Sequence, residues 1–193
     1  MIEVEKKMLL FEEEYKHLMA YFGGDKSVTK QVNYYYDTDD LQMDKQNITC
    51  RLRFKNGIWK GTMKKHHLNG DANEETTVEV YDSIYDNTFT REGLALQGEL
   101  VTYRIILLKN DVCEVVLDRN TYLDYTDYEL EIEYASGYEQ NVWVILQNFT
   151  EVLRAVLPSL SALQLYKRLR YKKSKSRRFF DRMKQKWESQ CSP

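Results

Sequence analysis

The chain predicts an α+β fold: an eight-stranded antiparallel sheet closed into a barrel, with a charged interior and helices on the outside. Three observations carry this expectation. Charged and apolar side chains alternate along several short segments, as they do on the two faces of a strand. Aromatic residues make up 13% of the chain and 15 of them are tyrosine, a bias that suits strands. Stretches with apolar residues at helical spacing interrupt these segments and can cover an apolar sheet face.

The first predicted strand, 2–8, puts Glu3, Glu5 and Lys7 on one side, separated by Val4 and Lys6. A helix over 9–22 follows, with Phe11, Tyr15, Leu18, Met19 and Phe22 at helical spacing and Gly23-Gly24 as its stop. Strand 30–37 carries Tyr34, Tyr35 and Tyr36, read as packing residues rather than as stacking partners for a substrate. Asp37-Thr38-Asp39-Asp40 reads as a turn with side-chain caps, because the glycine and terminal glutamate of a calcium loop are missing. Strand 47–55 sets Arg51 and Arg53 against Cys50, Leu52 and Phe54, and Asn56-Gly57 is a strong hairpin signal into strand 58–65. That strand alternates Lys60, Thr62 and Lys64 with Trp59 and Met63, and strand 73–81 can place Glu75, Thr77 and Glu79 together. A short, poorly patterned helix is expected over 83–95. Strands 99–109 and 112–119 are joined at Asn110-Asp111, and strand 127–134 sets Glu129, Glu131 and Glu133 against Tyr128, Leu130, Ile132 and Tyr134. A helix over 138–157 carries Val142, Ile145, Leu146, Phe149, Val152, Leu153 and Val156 on one stripe, with Pro158 as its stop.

Strands with one charged and one apolar face admit two arrangements. In a sandwich the apolar faces meet and the charges meet water; in a barrel of inverted pattern the charges line a hydrated lumen and helices cover the outside. The mixture of charges favours the barrel, since Arg51, Arg53, Lys60, Lys64 and Arg104 would form a basic wall, and Glu3, Glu5, Glu131 and Glu133 an acidic one. Basic groups suit phosphate oxygens, and carboxylates suit magnesium or manganese bridging to the same phosphates.

A chain of 193 residues with 42% hydrophobic content fits one compact domain, expected over 1–170, with 171–193 as a basic C-terminal helix or tail. No apolar run approaches the ~20 residues of a membrane span, and no signal peptide is recognisable, so a cytoplasmic protein is the expectation. Cys50, Cys113 and Cys191 are too far apart for a disulfide framework or a cysteine zinc site, and His17, His66 and His67 have no metal-ligand spacing. Any metal should therefore be hard and bound by carboxylates. The net charge of −2 conceals an asymmetry: Lys167 to Lys186 holds eleven Lys and Arg against one acid, Asp181. Such a run is usually a solvated helix; nucleic-acid binding through it is a weaker expectation. Phe179, Phe180 and Trp187 give it an apolar side for packing. Apolar outer faces and edge tyrosines are also compatible with a homodimer.

Several of these segments, taken in order, resemble the CYTH domains, the triphosphate tunnel metalloenzymes. Glu3-Val4-Glu5-Lys6-Lys7 matches the family's ExExK signature at the start of the first strand. Tyr35-Tyr36-Asp37-Thr38 resembles its Tyr-Phe-Asp-Thr element, Arg51-Leu52-Arg53 its paired arginines, and Thr62-Met63-Lys64 the end of its Leu-Thr-Leu-Lys strand. Glu75, Glu79, Arg104 and Asp118 follow, and Glu131-Ile132-Glu133 resembles the late Glu-x-Glu.

The resemblance implies a tunnel that holds a triphosphate through Lys7, Arg51, Arg53, Lys64 and Arg104. It implies Mg²⁺ or Mn²⁺ held by Glu3, Glu5, Glu131 and Glu133, with Asp118 as a further or outer ligand, and a catalytic role for Glu3, Glu5 and Lys7. The family's C-terminal Ser-Lys pair is altered here: Tyr166-Lys167-Arg168-Leu169-Arg170 keeps Lys167 and Arg170 without the serine, and a register on Ser161-Ala162 would lose the lysine. Lys167 is accordingly the phosphate ligand expected from that element. Lys60 falls at the tunnel mouth and Glu129 near the rim. The activity implied is metal-dependent hydrolysis of a triphosphate, inorganic or organic. The alternatives are a class IV adenylyl cyclase, for which no adenine-recognising residues are legible, and a non-catalytic polyphosphate- or RNA-binding module.

Overall fold

The structure, a computed structural model, describes residues 3–24, 26–66, 73–78 and 84–191. Its eight strands are β1 (Glu3–Leu10), β2 (Val28–Asp37), β3 (Ile48–Lys55), β4 (Ile58–His66), β5 (Asn73–Val78), β6 (Ala95–Lys109), β7 (Cys113–Tyr122) and β8 (Tyr125–Ala135). The helices are α1 (Glu12–Leu18), α2 (Gln42–Lys45), α3 (Thr88–Arg91), α4 (Glu139–Leu153), α5 (Ala162–Arg168) and α6 (Lys175–Cys191), with a π-helical turn at Met19–Gly23. The strands form one antiparallel sheet in the order β1-β8-β7-β6-β2-β3-β4-β5. β1 and β5 end that order, and no pairing between them occurs among the described residues.

Contacts divide the chain into two compact units: 1–29, 103–120 and 126–172 in the first, and 30–102, 121–125 and 173–193 in the second. In unit 1, Met8, Val115, Leu117, Leu130 and Ile132 from β1, β7 and β8 are buried with Val142, Leu146, Phe149 and Leu153 from α4. Leu165 and Leu169, from α5 and its C-terminal end, complete this cluster. The alternation anticipated for β8 holds: Leu130, Ile132 and Tyr134 face the helices. Glu14, only 1% exposed, fixes the β1–α1 corner by accepting from the Phe11 N–H at 2.7 Å and from both terminal nitrogens of Arg168 at 2.6 and 2.7 Å. Arg168 also donates to the Leu9 carbonyl at 2.8 Å, so one guanidinium ties α5 to β1 and α1.

In unit 2, one side of β2, β3 and β4 packs Tyr36, Cys50, Leu52 and Met63 against Phe89 and Leu94. The Tyr36 ring stacks on Phe89 with centroids 5.2 Å apart, and its hydroxyl donates to the Ile84 carbonyl at 2.8 Å. The other side of β2 receives α6: Phe179, Phe180 and Met183 are buried with Tyr35, Leu41, Leu100 and Tyr122. β6 and α6 approach closely at Gly98, where a Cβ would lie 3.0 Å from the Phe179 ring. The basic run thus has a packed side as well as a solvated one.

Two turns explain local chain reversals. Asn56 and Gly57 take positive φ values of 50° and 78°, as an Asn-Gly hairpin requires. Asp37 is a structural acceptor: its carboxylate takes the N–H groups of Thr38, Met43 and Asp44 at 2.7, 2.8 and 2.9 Å, and so caps α2 from the end of β2. The side-chain-capped turn expected here is what forms.

Several boundaries differ from expectation. The helix expected over 83–95 reduces to one turn, Thr88–Arg91, capped by Asn87, which accepts from the Phe89 N–H at 3.0 Å. Chain beyond it joins β6 at Ala95, four residues before the expected strand start at 99. β1 runs to Leu10, so the first helix begins at Glu12 rather than at 9. β7 and β8 are longer than expected because Leu123 and Asp124, at φ 47° and 63°, make a tight turn with no glycine to announce it. Residues 79–81 of the strand expected over 73–81 lie outside the described residues.

Two outcomes follow for stability. Asp37→Ala leaves three backbone donors without their acceptor and should cost about 2 kcal/mol or more, read as a lowered denaturant midpoint at unchanged m-value. Burial pushes the Tyr36 phenol up to about 12 from 10.0. A raised folded value means its contribution is fully present below pH 10 and is lost as pH rises towards 12, because the unfolded chain ionises first. Ultraviolet titration of tyrosinate should show fewer phenols ionising near pH 10.5 in wild type than in urea, because burial also raises Tyr35 and other phenols, and Tyr36→Phe should shrink that difference by one phenol.

Candidate functional site

Because the apolar side chains of β7 and β8 turn to the helices of unit 1, the residues between them point the other way. Asp118, Glu129, Glu131 and Glu133 therefore share one sheet face. β1 adds to it in register: Glu5 lies opposite Glu133, Lys7 opposite Glu131 and Leu9 opposite Glu129. Asp118, Glu129 and Glu131 are all buried, and one carboxylate oxygen from each lies within 4.8 Å of the others.

Arg104 on β6 organises this group. Its Nε and Nη2 donate to the two oxygens of Asp118 at 2.8 and 2.6 Å, and Nη2 also donates to Glu131. Burial works to lower the guanidinium's proton affinity, but the hydrogen bond and charge of Asp118, reinforced by Glu131, outweigh it and hold Arg104 well above its ordinary value. Beside it, Lys7 Nζ donates to Glu5 at 2.9 Å, and Glu114 on the same face of β7 is engaged by Lys109. Among the described residues of β1, β6, β7 and β8, Glu5, Asp118, Glu129, Glu131 and Glu133 outnumber Lys7 and Arg104 on this face. The excess negative charge is felt at Glu133, whose carboxyl is raised by burial and then by Glu131 and Glu5, with Arg104 opposing. Oxygen donors alone, three of them buried and close together, suit a hard divalent cation and not a soft one.

Unit 2 presents a cationic face. Tyr35 lies opposite Arg51 and Asn33 opposite Arg53 across β2 and β3, while Thr62 lies opposite Arg51 and Lys60 opposite Arg53 across β3 and β4. Lys64, opposite Thr49, continues the face, and the apolar cluster of Tyr36, Cys50 and Leu52 occupies the reverse side. Asn33, 2% exposed, accepts from Arg53 Nε at 2.8 Å and donates to the Leu100 carbonyl at 3.4 Å, so a buried amide aims the guanidinium.

The expected residues are therefore grouped, not scattered. Glu5, Lys7, Arg104, Asp118, Glu131 and Glu133 share the acidic face of unit 1, and Arg51, Arg53 and Lys64 the cationic face of unit 2. Lys60 is on the same cationic face. Glu3 opens β1 opposite Ala135, but its side chain, that of Glu75, and Glu79 altogether lie outside the described residues. Lys167 is exposed on the last turn of α5, where Ser161, the serine of the alternative register, serves as N-cap and accepts from the Gln164 N–H at 3.3 Å. It is Arg170, not Lys167, whose backbone bridges to Lys7. Glu129 is a correction: expected near a rim, it is fully buried within the carboxylate triad. Its parity with Glu131 and Glu133 is the sequence signal for it. Asn33, hidden before the tyrosine run, has none. The basic run also spends its charge internally: Lys173 and Arg177 pair with Asp181, Lys184 with Asp44, and Lys186 with Asp124. Among the described residues, no helix is long and apolar enough to cross a membrane.

Comparisons with known proteins agree with this arrangement. Over 166 residues the chain is 27% identical to the Bacillus subtilis (strain 168) protein named "Putative triphosphatase YjbK", covering 77% of this chain and 87% of that one. A crystal structure from Bacillus halodurans, described as that of a "putative adenylate cyclase", superposes with a TM-score of 0.64 at 26% identity over 93% of this chain and 97% of its own. The Hippeastrum protein HpAC1 shares the fold, with a TM-score of 0.58 at 17% identity over 78% of this chain and 87% of its own. The family model described as CYTH domain matches residues 1–180, nearly the whole length of the sheet and its helices, and the chain belongs to the CYTH domain family.

Proposed function

We propose that this protein is a metal-dependent triphosphatase that cleaves a phosphoanhydride bond of an inorganic or organic triphosphate. The observation that carries the reading is the buried Asp118–Glu129–Glu131 group spanned by Arg104, in a chain 27% identical to a protein named as a triphosphatase. In this reading the sheet closes into a tunnel. The substrate's phosphates are held by Lys7, Arg104 and Lys167 and by Arg51, Arg53 and Lys64, while Glu3, Glu5, Asp118, Glu129, Glu131 and Glu133 provide the ligands for Mg²⁺ or Mn²⁺. The carboxylate donor set fits such a cation. When bound, it neutralises phosphate charge and lowers the pKa of a coordinated water.

The chain's own groups account for the remainder. Phosphoryl transfer requires mainly positioning and stabilisation of spread negative charge. Arg53, fixed by Asn33, offers a planar fork suited to two phosphate oxygens. Lys7 carries a positive charge beside Glu5, and would exchange that carboxylate for a phosphate oxygen when Glu5 turns to a cation. Glu133 is half-buried on this face, and burial together with Glu131 and Glu5 raises its proton affinity, a crowding of charge that a cation bound beside it would offset. No side-chain nucleophile is needed, and burial pushes the Cys50 thiol up to about 12 and so keeps it unreactive.

A second reading, adenylyl cyclase, is favoured by the likeness to the Bacillus halodurans protein, at 26% identity over 93% of this chain. Incubation with tripolyphosphate, thiamine triphosphate and ATP, each with Mg²⁺ or Mn²⁺, separates the two: orthophosphate release supports the triphosphatase, whereas cyclic AMP with pyrophosphate replaces it by the cyclase.

Glu129→Gln keeps the shape of the triad but removes one charge, and should raise the Mn²⁺ concentration for half-maximal turnover by roughly ten- to a hundredfold, with melting temperature nearly unchanged. Arg53→Ala removes the fork and should raise KM for tripolyphosphate by about tenfold, with a smaller change in kcat. Wild-type metal dependence in the first variant, or wild-type KM in the second, would remove that residue from the site.

A further inference from the structure

In unit 1, the chain leaving α5 runs beside β1, on the side away from β8. Lys7 pairs with Glu131 of β8 on one side and forms an isolated parallel bridge with Arg170 on the other. Residues paired across a β-bridge turn their side chains to the same face. Arg170 therefore stands in one row with Lys7 and Glu131, and extends the acidic face of unit 1 by one strand position. Backbones so paired lie about 4.8 Å apart, near enough for an arginine and a lysine to meet on one phosphate group.

The residues just before Arg170 fix its place. Arg168 is committed to structure: its two terminal nitrogens clasp both oxygens of the buried Glu14, and one also donates to the Leu9 carbonyl at 2.8 Å. The Phe11 ring lies beneath the same guanidinium, 5.8 Å from its central carbon. Leu169 is buried in the core of the unit. Arg170 follows and is exposed, and among the described residues its guanidinium makes no ion pair. Arg168 and Leu169 anchor the segment, and Arg170 presents the charge.

We propose that Arg170 is a further phosphate-binding residue, which grips one phosphate group of the triphosphate together with Lys7 at the β1 side of the acidic face. Carboxylates outnumber cations among the described residues of that face, so an anionic chain settles on it only where positive charge is supplied. Lys7 offers a point charge, and Arg170 adds a planar fork that can engage two phosphate oxygens at once. This inference rests on the phosphate-binding role assigned above to Lys7.

The test is calorimetric titration of the full chain with imidotriphosphate at saturating Mg²⁺, since P–N–P links resist hydrolysis and turnover then plays no part. Arg170→Gln should weaken binding by about tenfold, with melting temperature unchanged, and Arg170→Lys should lose less. Lys172→Gln, which removes the same charge from an exposed residue of the same segment, should stay within about twofold of wild type. Unchanged affinity in Arg170→Gln while Lys7→Gln loses binding, or equal losses in Arg170→Gln and Lys172→Gln, overturns the role of Arg170 and leaves the phosphate-binding face standing. No binding by wild type, or unchanged affinity in Lys7→Gln, overturns that face and this inference with it.

Discussion

The forked hydrogen bonds from Arg104 to Asp118 are what allow carboxylates to lie side by side inside this sheet. Two ionised oxygens at 4.8 Å, the upper limit of separation within the triad, would repel by roughly 3–4 kcal/mol at the effective dielectric of a protein interior. Arg104 can offset that repulsion for Asp118 and Glu131, which it contacts directly. The raised proton affinity of Glu133, on the same face, is the sign of a remaining charge deficit. A further positive charge would offset it, and carboxylate oxygens restrict its kind.

That deficit is sustained by packing on the reverse side. Met8, Leu117, Leu130 and Ile132 alternate with the charged residues along β1, β7 and β8 and are buried beneath α4. Moving any strand by one residue would put carboxylates into this apolar layer and hydrocarbon into the site, so the core fixes the register of the charges. The same logic governs unit 2, where Cys50 and Leu52 anchor the reverse of the strand that carries Arg51 and Arg53. β6 runs through both units, contributing Leu100 to the core of one and Arg104 to the site of the other.

Alternation makes much of this legible from sequence. Period-two patterns in 47–55, 58–65 and 127–134 locate β3, β4 and β8 with their correct charged faces, and Asn56-Gly57 locates a hairpin. The ordered motifs point to the CYTH family, which the family match bears out. What stays hidden depends on long-range contacts. Nothing local shows that Asp44 would anchor a basic helix more than a hundred residues later. The turn at Leu123-Asp124 lacks the glycine that normally marks positive φ, and the helix expected over 83–95 lacks periodicity because only one turn of it forms. Glu129 reads as a rim residue and proves buried, since strand parity gives a face but not a depth.

Anomalous diffraction from crystals soaked in Mn²⁺ tests the central claim most directly. The account predicts a manganese peak bound by oxygens of Asp118, Glu129 and Glu131, with Arg104 displaced from at least one of its carboxylates. An intact Arg104 fork with no peak at the triad, at Mn²⁺ concentrations that saturate activity, would contradict it.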